Sequence, residues 1–275
     1  YQLYKSLGYY YHEVHLKYRG NWLKADSTLM NLFIQNYKLA YDHSVFDHWS
    51  LYGIGYGLLN FQKYEESIRY FEEAIKIEPE YPTSHYNLAY AYLYMDDREK
   101  AIKYAKNALE LYNHPSSKAD AARIVAVCYS ELERYEESME YYRISNEIDP
   151  NNYYTLKPLL SVETYLNDHK YKERTKEFFL LAPGNPTIYQ NLEEIYWKNE
   201  KPNELLAFLE SMKMGFENDL KVYGNLFFFI AKIQFDRNDN ENAKLNFTKS
   251  KEIFENYYGK DHRVIEVIDS YLKDI

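Results

Sequence analysis

The sequence has one cysteine, Cys128, so no disulfide can close within the chain and a disulfide-stapled scaffold is excluded. Only nine glycines and eight prolines interrupt 275 residues, which points to long, regular elements. There is no dense Lys/Arg run, and the formal charge is -9 with a pI near 5.5. An acidic chain repels phosphate backbones, which argues against nucleic acid as a partner. Long apolar runs are missing too. Leu226-Phe227-Phe228-Phe229-Ile230-Ala231 is followed at once by Lys232 and is far too short to span a membrane. No glycine-rich phosphate loop is present. The chain opens on Tyr1 rather than methionine, and a segment upstream is expected: a signal peptide, a lipoprotein leader or a further domain. Localisation therefore stays open between cytoplasm and periplasm.

What the sequence does have is tyrosine, 33 in all. Tyrosine combines a large contact face with a hydroxyl that tolerates water, so long elements with amphipathic aromatic surfaces are expected. The hydrophobic fraction of 46% and charged fraction of 27% are ordinary for a soluble folded protein.

Internal repetition decides the fold. The segment from His48 to Tyr81 contains Leu51, Ile54-Gly55, Leu58, Ser67, Phe71, Ala74 and Pro79. The segment from Pro82 to Pro115 places His85, Leu88-Ala89, Tyr92, Ala101, Ala105 and Ala108 at the same offsets, so that Ser67 and Ala101 fall 34 positions apart. A third copy holds Val125-Ala126, Tyr129, Ser138, Tyr142, Ser145 and Pro150, and Tyr64-Glu65-Glu66-Ser67 is nearly repeated as Tyr135-Glu136-Glu137-Ser138. Packing explains the small residues: antiparallel helices approach closely only where one side chain is small, so Gly55 and Ala89 are expected to face Ser67 and Ala101. Pro79 is expected to end a helix, and the paired glutamates to open second helices, where they complement the dipole.

This pattern resembles the tetratricopeptide repeat, W-x2-L-G-x2-Y then A-x3-F then Pro with a 34-residue period. The resemblance implies an all-α fold, a right-handed α-α superhelix (a tetratricopeptide solenoid) with a C-terminal capping helix. Repeats are expected at 6–41, 48–81, 82–115, 119–152, 153–185, 186–219 and 224–257 of one superhelical domain, with the cap at 262–275. The outer copies match less well. The first places Trp22, Ala25, Leu29 and Leu32 on its second helix, and Pro158 is expected to shorten the first helix of the fifth. Tyr258-Gly259-Lys260-Asp261-His262-Arg263-Val264 resembles the G-x-D-H-P-x-V joint of the kinesin-light-chain-like subclass, with Arg263 in place of proline. After it, Val264, Ile265, Ile268, Tyr271, Leu272 and Ile275 mark one face of a final helix.

In this family the first helices of successive units line the binding groove. Carried over residue by residue, the groove offsets select Trp49, Tyr52, Tyr56, Tyr86, Asn87, Tyr90, Tyr94 and Arg123 as partner-binding residues. In the weaker copies they select Gln190, Asn191, Glu194, Trp197, Asn225, Phe228, Phe229 and Lys232. The resemblance also implies a test. The clamp by which some members grip acidic chaperone tails needs Lys and Asn where Tyr52 and Tyr56 stand, Asn at Asn87, and Lys and Arg where Asp120 and Ile124 stand. Only Asn87 fits, so that clamp is not expected.

No residue pattern calls for chemistry. His12-Glu13-Val14-His15 lacks the i, i+4 spacing of a helical zinc pair and is expected to be two surface histidines. Asp42-His43 and Asp47-His48 come with no identifiable nucleophile. Cys128 sits in the apolar run Ile124-Val125-Ala126-Val127 and is expected to be a small buried hydrophobe. Asn246-Phe247-Thr248 fits a glycosylation acceptor inside a helix. The sequence thus predicts no metal, no cofactor and no catalysis. It predicts a scaffold that binds a protein or peptide, with self-association a further mode open to it. A sensory domain of a larger bacterial protein and an accessory domain C-terminal to a hydrolase are the alternatives.

Overall fold

The helices start and stop where local chemistry dictates. Asp47 caps the helix His48–Asn60 by accepting the Ser50 amide at 2.9 Å, while the Ser50 hydroxyl accepts the Asp47 amide at 2.9 Å, a reciprocal capping box. Proline opens four further helices at their first turn, where its missing N–H costs nothing. Glu65-Glu66 and Glu136-Glu137 stand in the first turns of their helices, as expected. The computed structural model describes residues 1–18 and 27–275, so the expected positions of Trp22 and Ala25 lie outside the described residues. Among the described residues there are fifteen α-helices and no strand.

They form two compact units, Tyr1–Pro150 and Asn151–Ile275. The first contains α1 (Gln2–Tyr18), α2 (Ser27–Tyr41), α3 (His48–Asn60), α4 (Tyr64–Ile77), α5 (Pro82–Tyr94), α6 (Arg98–Leu111), α7 (Pro115–Glu131) and α8 (Tyr135–Ile148). The second contains α9 (Tyr153–Tyr165), α10 (Tyr171–Leu180), α11 (Pro186–Lys198), α12 (Pro202–Met212), α13 (Leu220–Asp236), α14 (Asn240–Tyr258) and α15 (Arg263–Asp274). Within each unit consecutive helices pair, α1 with α2 through α13 with α14. In the first unit the leading helices α1, α3, α5 and α7 also lie side by side.

One turn is used six times. Gln62, Asp96, Glu133, Asn167, Glu200 and Asn238 all have positive φ, between 53° and 65°, each just after a first helix. After α3, the Lys63 amide reaches back to the Leu58 carbonyl at 2.9 Å and the Gln62 amide to Leu59 at 2.9 Å. This is a Schellman motif, which satisfies the last carbonyls of the helix. The same two bonds recur after α5, α7, α9, α11 and α13. The repeat is therefore carried by backbone geometry even in the second unit, where the side-chain pattern is faint.

The small-residue rule holds, with a change of partner. A Cβ on Gly55 would lie 2.8 Å from the Phe71 ring, so Phe71, one turn beyond Ser67, is what requires the glycine. Between α7 and α8 the small residues touch directly: the Ser138 hydroxyl donates to the Ala126 carbonyl at 2.8 Å. Gly53 and Gly57 in the same helix are just as tight, a Cβ falling 2.6 Å from Tyr37 and 2.5 Å from Ile34.

Leu29 and Leu32 lie on α2 as expected, half-buried, while its buried residues are Phe33, Ile34, Tyr37 and Ala40. Two expectations are corrected. Pro158 does not shorten α9, which at 13 residues matches α3, α5 and α11. The helical bond that a proline cannot donate would run to the carbonyl of Tyr154, an exposed residue near the helix start, where its omission is cheap. His12 and His15 are buried, each 3% exposed. The His12 ring stacks on Phe33 with centroids 4.6 Å apart, and burial lowers its pKa to about 4, helped by His15. Spacing i, i+3 placed both rings on the core face of α1, a face that α1's own polar sequence does not advertise.

At the far end, Gly259 ends α14 with φ 90, and His262 caps α15 by accepting the Val264 amide. Ile265 and Ile268 are buried, and Val264, Tyr271, Leu272 and Ile275 pack beside them, the face predicted for the last helix.

Candidate functional site

Five of the eight predicted partner-binding residues meet in one cleft of about 420 Å³ in the first unit. Its walls come from α3 (Tyr56, Leu59, Asn60), α5 (Tyr86, Asn87, Tyr90, Tyr94) and the turn and start of α4 (Gln62, Tyr64). Spacing i, i+4 puts Tyr86, Tyr90 and Tyr94 one helical turn apart, and their ring centroids are separated by 6.0 Å and 5.3 Å. Tyr64 closes the end of this ladder, stacking on Tyr94 at 4.8 Å with planes 4° apart. Burial raises the pKa of Tyr86 and Tyr90, and Asp120 adds to both. None of the nine lining residues carries a formal charge.

The other three occupy different places. Tyr52 is 7% exposed and belongs to the core, and burial raises its pKa. Its hydroxyl accepts from the Asn87 carboxamide at 3.3 Å, so Asn87 ties α5 to α3 as well as lining the cleft. Asn191 repeats the device in the second unit, donating to the Tyr153 hydroxyl at 3.0 Å. Arg123, on α7, is half-buried and paired with Asp120; its charge acts on Tyr86 and Tyr90 from outside the lining. Trp49 lines a separate hollow of about 360 Å³ with Tyr9, Asp47, His48, Glu78 and Tyr81.

Two residues of that hollow, His48 and Glu78, belong to an arrangement the sequence did not reveal. His48 Nδ1 lies 3.1 Å from a Glu78 carboxylate oxygen, and His48 Nε2 lies 3.2 Å from the Ser84 hydroxyl. The order is that of a hydrolytic triad. Ser84 is 0% exposed, however, so no substrate carbonyl reaches its oxygen. Burial lowers the His48 pKa against the opposing pull of Glu78 and Asp47. The three side chains bond the starts of α3 and α5 to the end of α4, and the only signal for this in the sequence was His48 itself. Cys128 is buried and its thiol is pushed up to about 12, chiefly by burial, which removes it as a nucleophile.

In the second unit, Gln190, Glu194, Trp197 and Lys232 meet Glu193 and Asp236 in a hollow of about 310 Å³. Asn191, Asn225 and Phe229 are instead buried. Among the described residues no group of three or more His, Cys, Asp or Glu side chains is placed to hold a metal ion, and no helix is long and apolar enough to cross a membrane.

Comparison with known proteins adds to this geometry. The family described as "TPR repeat" matches residues 62–95, and that described as "Tetratricopeptide repeat" matches residues 86–153. The Hsp70-Hsp90 organising protein of Plasmodium falciparum (isolate 3D7) is 27% identical over 157 residues, which is 55% of this chain and 27% of that protein. The Hsp70-Hsp90 organizing protein 2 of Arabidopsis thaliana is 33% identical over 91 residues, 33% of this chain and 15% of that one. The chain thus spans about a quarter or less of the length of these relatives. Among solved structures, a tetratricopeptide repeat protein from Parabacteroides merdae ATCC 43184 superposes with a TM-score of 0.55 at 17% identity, covering 98% of both chains. A MamA RS-1 double mutant gives 0.54 at 20% identity over 65% of this chain and 94% of its own. At these identities the structures share the fold. With paired helices through the described residues, the same Schellman turn between the members of six pairs, and matches to the repeat across residues 62–153, the chain carries tetratricopeptide repeats over that stretch and the same paired-helix fold beyond it.

Proposed function

We propose that this chain is a non-enzymatic interaction scaffold, and that the tyrosine cleft of its first unit receives a segment of a partner protein. The observation that carries the reading is the convergence of Tyr56, Tyr86, Asn87, Tyr90 and Tyr94, chosen from repeat offsets alone, on one open cleft. Aromatic side chains with polar tips give large contact area at low entropic cost and dominate the energetics of many interfaces. The names of the relatives, organising proteins of Hsp70 and Hsp90, agree with a role in holding other proteins. Acidic-tail binding is not part of the proposal. Ile124, at a position where the clamp needs a cation, is buried, and Asp120, at the other, is an anion paired with Arg123.

The test is site-specific photocrosslinking. p-Benzoylphenylalanine replaces Tyr90 in one variant and the exposed Ile77 in another, and each is irradiated in extract of the source cell. A discrete adduct from position 90 that is lacking at position 77 is the expected result. Equal adducts at both positions, or adducts at 77 only, would remove the cleft from the proposal.

A further inference from the structure

The second unit contains a hollow whose chemistry differs from that of the tyrosine cleft and does not depend on it. We propose that this hollow, between α11 and α13, is a seat for a guanidinium group, the arginine side chain of a partner protein.

The lining follows from helix spacing. Gln190, Glu193, Glu194 and Trp197 stand at i, i+3, i+4 and i+7 on one face of α11, and Lys232 and Asp236 at i, i+4 on α13, around a space of about 310 Å³. Three carboxylates thus share the hollow with one ammonium. The lysines at hand are already engaged. Lys232 Nζ donates to one oxygen of Glu193 at 2.7 Å, and Lys157 Nζ donates to Glu194 at 3.0 Å. Asp236 is exposed, and its charge acts on both Glu193 and Lys232.

Two features of this lining find no partner within the protein. The first is the other carboxylate oxygen of Glu193. The side chain is 12% exposed, that oxygen is fully buried, and nothing among the described residues donates to it. A buried acceptor without a donor is costly. Burial accordingly raises the Glu193 pKa against the opposing pull of Lys232. The second is the ring of Trp197, which is 39% exposed and meets no other ring and no cation among the described residues. Elsewhere the chain lays its own cations on ring faces: Arg134 over Tyr129 and Lys201 over Tyr171, each 4.4 Å from the ring centre. Tryptophan is the strongest cation acceptor of the three aromatic residues.

A guanidinium answers both features. Its planar face stacks on an indole, and its N–H groups form a fork that suits carboxylates. Glu193 and Trp197 are one helical turn apart, so both contacts fall within reach of one side-chain head. Its charge offsets the excess of carboxylates in the lining, whereas an anion would be repelled by them. Free arginine fits less well, because its own carboxylate would enter the same field.

The probe is the peptide acetyl-Gly-Gly-Arg-Gly-Gly-amide, titrated into the full chain and followed at the indole N–H signal of Trp197 in NMR spectra. That signal is assigned by its loss in Trp197→Phe. Controls carry citrulline, a neutral isostere, or glutamate in place of the arginine, and free L-arginine separates a partner's side chain from a small-molecule ligand. The arginine peptide is expected to shift the signal and to bind at least 10-fold more tightly than either control peptide. Its affinity is expected to fall severalfold between 50 and 500 mM NaCl, as screening weakens the charge pairing. Glu193→Gln should weaken binding at least 5-fold. Asp236→Asn, at an exposed position, should weaken it severalfold and supplies a variant that folds should the first not. If the citrulline peptide binds as tightly, or if binding is indifferent to both substitutions, the assignment is overturned. Preference for the glutamate peptide would make Lys232 the receptor and overturn it as well. Free L-arginine binding more tightly than the peptide would overturn a partner's side chain as the occupant.

Discussion

Glu163 and Arg174 form the most deeply buried ion pair described, and removing one partner is the sharpest test of how the second unit is held. The Glu163 side chain is 0% exposed and that of Arg174 9%, with Nε 3.4 Å from a carboxylate oxygen. Arg174 also meets Glu177, which lies partly in solvent. The pair joins α9 to α10. At 3.4 Å the attraction is about 5 kcal/mol for an effective dielectric near 20, and desolvation of both groups cancels much of it. Arg174→Met keeps the aliphatic stem and removes the charge. It takes the Arg174 charge away from a buried carboxylate, and the expected loss is about 3–5 kcal/mol. For a unit of this size that lowers the melting temperature by roughly 10 °C or more. Adding Glu163→Met should restore most of the loss, because a buried pair replaced by apolar residues of similar volume is often neutral. The assay is thermal denaturation followed by circular dichroism at 222 nm for the four members of the cycle. A fall of less than about 3 °C in Arg174→Met, roughly 1 kcal/mol, or a double variant no more stable than the single one, would refute the reasoning.

Tyr52→Ser should cost about 3 kcal/mol or more because the ring is core, while Tyr90→Ser in the open cleft should change the melting point little; urea denaturation of the two separates wall from foundation. Glu133→Gly should stabilise by about 1 kcal/mol, since a side chain at φ 59 is strained and glycine is not; a lower urea midpoint would refute this. Burial holds the His12 pKa at about 4, below its unfolded value near 6.5. The unfolded chain therefore takes up the proton first as pH falls, and stability present above pH 6.5 is lost down to about pH 4, by about 3 kcal/mol. His48 acts in the same direction, so His12→Phe should flatten the fall in melting temperature over that range without abolishing it. A fluorophosphonate reagent should leave Ser84 unlabelled by mass spectrometry, because the hydroxyl is inaccessible.

The repeat was legible wherever the interface between paired helices is made by side-chain size: Gly55, Ala89, Ala101 and Ala126 announce it directly. It was faint from Asn151 onward because there the repeat is held by turn geometry at Asn167, Glu200 and Asn238, and positive φ leaves little trace in residue identity when glycine is not used. The offset rule located the cleft but not its depth. It treats Tyr52 and Tyr56 alike, although one helical turn separates a ring at the core from one at the rim. Long-range bonds such as His48 to Ser84 were invisible, since their partners sit 36 residues apart and belong to no shared motif.

Helix α3 has a consequence for any attempt to trim the protein. Gly53, Gly55 and Gly57 make it a poor helix in isolation, by about 1 kcal/mol for each glycine relative to alanine. Each glycine is there because a neighbour's side chain fills the space: Tyr37 and Ile34 from α2, Phe71 from α4. Deprived of Tyr37 and Ile34, the segment would have little intrinsic propensity and only the Phe71 side of its packing to keep it wound. A fragment beginning after residue 42 would retain every residue that lines the tyrosine cleft and still lose the cleft.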